Sequence, residues 1–208
     1  MIVDELEQAW RGWADLGSGL SDEQWRAPTR LDGWAVRDVF AHCAPAIGAA
    51  GAAWNAPSVQ APVTHSDDAA ELLRFFQQPG GVAHEHADHI RDQAVAKAAA
   101  APAEELLEAF TVAAPKLIAK MRETPLDHRI DYLGVAVLSA REVMRILLME
   151  AVVHYADMAT ALDMPVPGPV AGAPLCTTAH LLTDLADPMA FVDAATGRSK
   201  TPVLPVLR

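Results

Sequence analysis

The sequence predicts an all-α fold: a four-helix bundle with a long crossover connection, followed by a short C-terminal helix/hairpin appendage. Three observations predict it. Hydrophobic residues make up 51% of the 208 residues, and much of that fraction is alanine, the best helix former. Several stretches repeat apolar residues at helical spacing. Between them lie proline- and glycine-bearing segments, including a long polar one over 55–68 that reads as the crossing loop. The length suits one domain, with the bundle over 1–165 and the appendage over 166–208.

The elements follow in order. Leu6, Trp10 and Trp13 place a first helix at the N-terminus, ended by Gly17-Ser18-Gly19. Ser21-Asp22-Glu23-Gln24 reads as a short helical turn capped by Ser21. Pro28-Thr29 and Asp32-Gly33 mark a loop. A second helix starts near Gly33 and runs past Ala46. Asp38 holds the acid position of a capping box, but Ala35 occupies the cap, which leaves Asp38 to act through its charge. Pro45 is expected to kink this helix just beyond His42. Asp67 to Gln77 reads as a short helix stopped by Pro79-Gly80-Gly81, and a long one broken at Pro102 is expected over 82–122.

Pro125 opens another connection, with an extended stretch at Asp131 to Val137. Ser139-Ala140-Arg141-Glu142 is a complete capping-box sequence. Val143, Ile146, Leu147, Glu150, His154, Met158 and Leu162 then keep helical spacing until Pro165, Pro167, Gly168 and Pro169 stop it. A helical stretch from Thr177 to Leu185 and a hairpin turning at Ala194 to Ser199 complete the reading. There is no internal repeat.

Composition excludes some functions. The formal charge is −11 and the pI is near 5.0, which repels phosphate backbones and argues against nucleic-acid binding. The two cysteines, Cys43 and Cys176, have no CxxC spacing, so neither a zinc knuckle nor a disulfide framework is indicated. The first ten residues contain Asp4, Glu5 and Glu7 and do not form a signal peptide. No apolar run is long enough to cross a bilayer. A cytoplasmic chain, monomeric or homodimeric and without a membrane partner, is expected.

The chemistry lies on the helix that begins at Ser139. With Glu150 at zero on its helical wheel, His154 falls at about +40° and Asp157 at about −20°. Val143 and Ile146 fall on the same stripe, at about +20° and −40°. Three ionisable groups on a core-facing stripe need partners, because burying unpaired charge is costly. A cation would supply one, since Glu and His four apart can both reach a metal from one face. A third ligand must come from another helix, and His42 is the best candidate, with Ala46 and Ala49 leaving room above its ring. Two histidines and a carboxylate leave the coordination open, as in catalytic sites.

The stretch Trp25-Arg26-Ala27-Pro28-Thr29-Arg30-Leu31-Asp32-Gly33-Trp34-Ala35-Val36-Arg37-Asp38-Val39-Phe40-Ala41-His42 resembles the N-terminal signature of the mycothiol-dependent maleylpyruvate isomerase family, part of the DinB-like superfamily. Arg141-Glu142 with Met149-Glu150-Ala151-Val152-Val153-His154-Tyr155-Ala156-Asp157 is similar to its second signature. The resemblance implies a DinB-like four-helix bundle. It also implies a divalent metal, zinc above all and nickel as an alternative, on His42, Glu150 and His154. Asp157 would sit beside the metal in a catalytic role, orienting a metal-bound histidine or moving a proton. A low-molecular-weight thiol, mycothiol or similar, is implied as cofactor, with a small electrophile as substrate.

The expected activity is therefore isomerisation of that electrophile or S-transfer to it. Rival readings are a metal-stabilised binding protein without turnover and a metal-dependent hydrolase. Residues 166–208 are expected to be a remnant of a C-terminal domain. His84, His86 and His89 lie close together but do not make HExxH, because Asp88 stands in the second histidine's place; they read as a solvated helix face. Cys43 adjoins His42 but should point about 100° away, as a small core residue. The tryptophans are expected to pack the bundle, with Trp34 or Trp54 lining a pocket as the lesser option.

Overall fold

The computed structural model describes residues 1–199 and 201–206. Helix α1 (Ile2–Ser18) leads through the single turn α2 (Asp22–Trp25) to α3 (Val36–Asn55). The crossing segment follows, then α4 (Ala69–Phe76), α5 (Val82–Glu85) and α6 (Ala87–Ala100). Helix α7 (Ala103–Glu108) continues through a π turn (Ala109–Ala113) into α8 (Ala114–Glu123). A two-stranded antiparallel hairpin, β1 (Arg129–Tyr132) and β2 (Ala136–Ser139), leads directly into α9 (Ala140–Ala161). The chain then forms α10 (Gly168–Ala171), α11 (Ala173–Leu185) and α12 (Pro188–Ala195).

The bundle is built from α1, α3, the α7–π–α8 column and α9, and all four meet at Trp13. The Trp13 indole is fully buried, stacks on Phe110 of the π turn at 4.7 Å and meets Phe40 of α3 edge-on at 5.0 Å. Its Nε1 donates to the Ala151 carbonyl of α9 at 2.8 Å. Such aromatics bury large apolar areas, and a buried indole N–H that finds an acceptor avoids a desolvation penalty. Gly12 permits the close approach of α1 to the helices beside it. A Cβ there would lie 2.7 Å from Val170 Cγ2 and 3.3 Å from the Tyr155 ring.

Several expectations match. The Ser21 box closes in both directions, with Oγ accepting from the Gln24 amide and Gln24 accepting from the Ser21 amide. At α3, Asp38 reaches back to the Ala35 N–H at 2.7 Å, so half of a capping box forms without a capping hydroxyl. Helix α3 runs on through Pro45 to Asn55, forgoing the hydrogen bond that residue's missing N–H would make. The long helix expected over 82–122 is broken at Pro102, and again at His86.

Two expectations are corrected. The Ser139 box closes only halfway: Oγ accepts from the Glu142 amide at 3.4 Å, but the Ser139 N–H donates to Asp67 at 2.6 Å. Glu142 turns instead to the buried Ala69 N–H at the start of α4, at 3.1 Å, and to Arg145 at 2.8 Å. A tertiary partner has outcompeted the local one. The hairpin expected around Ala194 to Ser199 is absent among the described residues, where α12 runs to Ala195 instead. Asp187 caps that helix by accepting from the Ala190 amide, and Pro188 occupies its first turn, a start signal that outweighs the later glycine.

The hairpin that does form lies at 129–139, where extended chain was expected. Its turn places Leu133 and Gly134 at φ +57° and +74°, and the Val135 N–H donates to the Tyr132 carbonyl. Two central residues at positive φ make a type I′ turn, matched to strand twist. The crossing segment lies along this hairpin, with the Val59 and Thr64 N–H groups donating to the Arg129 and Val137 carbonyls. Helix α11 packs on α9 and α4, and its Leu181 and Leu185 join the same core as the bundle. No helix among the described residues is long and apolar enough to cross a membrane.

Candidate functional site

The three residues singled out as ligands meet at one point. Glu150 Oε2 on α9 lies 3.3 Å from His154 Nε2, one turn on, and 4.0 Å from His42 Nε2 on α3. The two imidazoles stand nearly perpendicular with centroids 5.1 Å apart. Helical spacing brings Glu150 and His154 together, and the packing of α3 on α9 brings His42 to them.

Asp157, one turn below His154 and buried, accepts from His154 Nδ1 at 3.0 Å and from Arg30 Nε at 2.6 Å. With Nδ1 committed to that carboxylate, Nε2 is the atom aimed at Glu150. This is the support that metal-ligating histidines usually have behind them. Arg30 comes from the loop before α3, where Gly33 at φ +77° allows a tight reversal. In that loop the Thr29 amide and hydroxyl both donate to the Trp34 carbonyl. The Trp34 indole is thereby laid parallel to His154, with centroids 6.3 Å apart, and edge-on to His42 at 5.1 Å.

The charges are coupled. Burial pulls the His154 pKa down, but its hydrogen bonds to Asp157 and Glu150, with their charges, outweigh this and hold it up at about 9. His42 is pushed down by burial and by the neighbouring His154 charge, against the pull of Glu150. Burial raises Glu150, yet the hydrogen bond and charge of His154 and the charge of His42 leave it below its ordinary value. Glu150 keeps 41% of its side chain accessible, and that access is to the cavity it lines. Burial likewise raises Asp157, and the hydrogen bonds from His154 and Arg30 lower it further. The same surroundings thus favour the charged form of His154 and the neutral form of His42.

Cys43 belongs here too, against expectation. Donor atoms of His42, Cys43 and His154 all lie within 4.8 Å of one another. The cavity is wide enough for adjacent positions on α3 to reach it, so the 100° offset does not carry the thiol away. Burial, then the charges of Glu150 and Asp157, push this thiol well up, so it is protonated. His84, His86 and His89 are exposed, and among the described residues they form no such cluster.

The cluster borders a cavity of about 650 Å³ between α3, α6, α9 and the hairpin, a size that suits a small ligand. Trp10, Trp13 and Trp34 all line it, so the lesser option for Trp34 is the observed one, while Trp54 is buried elsewhere in the core. Ala46 lines it as expected; Ala49 does not. Tyr132 of β1 reaches it as well, its hydroxyl pushed far up by burial and by the Glu150 charge. The reading from sequence missed Cys43, Tyr132 and Arg30. Arg30 was legible as a member of the Trp25–His42 stretch, whereas the other two depend on tertiary packing.

An all-α bundle with two imidazoles and a carboxylate at one end of an apolar cavity is the class of protein that this architecture defines. The chain belongs to the mycothiol maleylpyruvate isomerase N-terminal domain family, whose profile matches residues 6–159. The helical fold is consistent with the wider DinB-like superfamily. His42, Glu150, His154 and Asp157 all lie within the matched span. No curated protein and no solved structure gives a match.

The donor set fits a divalent ion. Two donors on a tetrahedral ion with bonds near 2.05 Å stand about 3.3 Å apart. His154 and Glu150 already have that separation, the His42–Glu150 pair is at 4.0 Å, and the donors of His42 and His154 lie within 4.8 Å, so His42 would have to move inward to complete the set.

Proposed function

We propose that the chain is a metal-dependent enzyme that uses a low-molecular-weight thiol of the mycothiol type to isomerise, or transfer sulfur to, a small electrophile. His42, Glu150 and His154 hold the ion, zinc or nickel. The bundle over 1–165 carries the site and 166–208 is an appendage to it. The observation that carries this reading is the meeting of those three side chains, from two helices, at the edge of an apolar cavity. Membership of a family described by a mycothiol-linked isomerase supports it. The free Cys43 and Cys176 suit a reducing cytoplasm.

A divalent ion at this point supplies Lewis acidity, lowering the pKa of a coordinated thiol so that thiolate is available at neutral pH. The protein's own groups do the rest. Asp157 holds His154 in the tautomer that presents Nε2. Trp34 covers both imidazoles and keeps water from them. Apolar walls hold the substrate against the sulfur, which removes much of the entropic barrier of a two-body reaction. The sulfur adds to an activated double bond, and the π electrons move onto the activating carbonyl. Tyr132, kept neutral, donates a hydrogen bond to the oxygen on which that charge develops. Rotation about the resulting single bond and loss of the same thiolate gives the isomer. Protonation at carbon gives the conjugate instead.

Cys43 favours one rival specifically. A fourth protein donor would fill the position that an exogenous thiol needs, leaving a metal-stabilised binding protein without turnover. One experiment tests both. Protein purified without chelator is assayed for metal per chain, then for thiol consumption with a model enone. The proposal expects about one ion per chain, lost in His42→Ala and His154→Ala, together with thiol consumption. Retained metal with no thiol consumption, in the parent and in Cys43→Ala alike, would leave the binding protein as the answer.

A further inference from the structure

We propose that this cavity admits an uncharged, apolar electrophile, such as an ester or an aromatic enone, and rejects small dianions. The word electrophile rests on the function proposed above; the preference for an uncharged ligand rests on the cavity walls.

Those walls are mostly apolar side chains, with Trp13, Trp34, Ile47, Phe76, Ile90 and Phe110 among them. Arg91 is the one lysine or arginine among the described lining residues. Its guanidinium is already committed, to Asp88 at 2.9 Å and to Asp92 at 3.0 Å. The remaining charged groups of the lining are acids or belong to the cluster: Asp32, Asp88 and Glu150 with the two histidines. A carboxylate entering this space would lose its hydration and meet no lysine or arginine free of an acidic partner among the described lining residues, which disfavours entry. A carboxylate drawn to an ion at the cluster would compete with the thiol of the proposed function and would leave its second carboxylate against apolar walls.

The rim points the same way. Leu133 lines the cavity with its side chain 70% exposed, and it sits at φ +57° in the first central position of the hairpin turn. That position prefers Asn, Asp or Gly, and a leucine there is strained. A strained, exposed leucine at a cavity mouth is explained by an apolar surface that covers it when the cavity is filled.

The test uses a matched pair of unreactive ligands, dimethyl phthalate and the phthalate dianion. The full chain is titrated as purified and again after chelation, with quenching of Trp10, Trp13 and Trp34 emission as the readout. The diester is expected to bind at least tenfold more tightly than the dianion in both preparations. The double variant Asp88→Asn with Asp92→Asn, which releases Arg91, is expected to raise phthalate affinity severalfold at low salt and to narrow the gap between the diester and the dianion. Phthalate binding as tightly as its diester, or neither ligand binding, would overturn the proposal. So would a phthalate affinity unmoved in the double variant. Because neither ligand reacts, absence of thiol consumption would sink the preceding reading while leaving this result standing.

Discussion

Replacing Asp157 with alanine tests the cluster from behind. The carboxylate is 2% exposed and accepts the His154 Nδ1 proton at 3.0 Å. Removing it frees the ring to rotate and to exchange tautomers, so Nε2 no longer points at Glu150 by default. Loss of such a supporting carboxylate costs about 10–100-fold in metal affinity, or about 1.4–2.7 kcal/mol. Burial and good geometry place Asp157→Ala in the upper part of that range. Asp157→Asn keeps an acceptor oxygen without the charge and is expected to lose about tenfold or less. Arg30 is the control, because its side chain is 56% exposed and Asp157 keeps His154 without it. Arg30→Ala should therefore cost at most about 1 kcal/mol, as exposed ion pairs do. Competition against a chromophoric chelator gives the affinities, and melting of the chelated proteins checks the fold. Asp157→Ala binding zinc as tightly as the parent would refute the reasoning, as would Arg30→Ala falling as far as Asp157→Ala.

Three further outcomes follow from the structure. Glu142→Ala strands the buried Ala69 N–H and releases Arg145, for about 2–4 kcal/mol in all. Its melting temperature should drop by about 5–15 °C, with Glu142→Gln recovering most of that loss; two variants equally unstable would show that Glu142 does not act as an acceptor. Leu133→Asn relieves the backbone strain at φ +57° and should stabilise by about 1 kcal/mol, while weakening dimethyl phthalate binding; an unchanged or lower melting temperature would contradict it. Chelated protein should lose stability at both ends of the pH scale. His154 contributes fully below its ordinary 6.5, and that contribution is lost as pH rises through about 9. Asp157 and Glu150, both lowered, contribute above their ordinary 3.8 and 4.5, and that is lost as pH falls through their folded values. A melting temperature flat from pH 6.5 to 9 would refute the alkaline arm.

The parts of this fold that were legible were those in which neighbouring residues interact. Ser21 with Gln24, the break at Pro102 and the stripe of Glu150, His154 and Asp157 all depend on separations of a few residues, where helix geometry is nearly fixed. Glu142 was misread for the opposite reason. Its capping role was sound locally, but the Ala69 N–H lies 73 positions away and needed a buried acceptor more than Ser139 did. The C-terminal hairpin failed because the Asp187-Pro188 start builds α12 as far as Ala195, into the expected turn. Cys43 was dismissed on helical angle alone, which describes a direction from α3 and not how far a cavity extends around it. Tyr132 could not be placed, because β1 reaches the cluster only through the packing of the hairpin on α3 and α9.

The length of the first matching stretch has a physical explanation that its single ligand does not supply. Of Trp25 to His42, only His42 offers a donor to the cluster. Trp25 packs on Phe40 at 4.6 Å and anchors the loop to the bundle. Thr29 holds the Trp34 carbonyl, and Gly33 supplies the positive φ that turns the chain back. Trp34 then covers both imidazoles while Arg30 reaches Asp157 on the far side of His154. One loop thus lays Trp34 along the face of His154 and braces Asp157, the α9 carboxylate that accepts from its Nδ1. His154 is held by its own helix through Asp157 and Glu150, and the loop before α3 flanks it through Trp34 and steadies Asp157 through Arg30. Gly33 is the most vulnerable point of this arrangement, since any side chain there opposes the turn that brings Trp34 against His154 and Arg30 against Asp157.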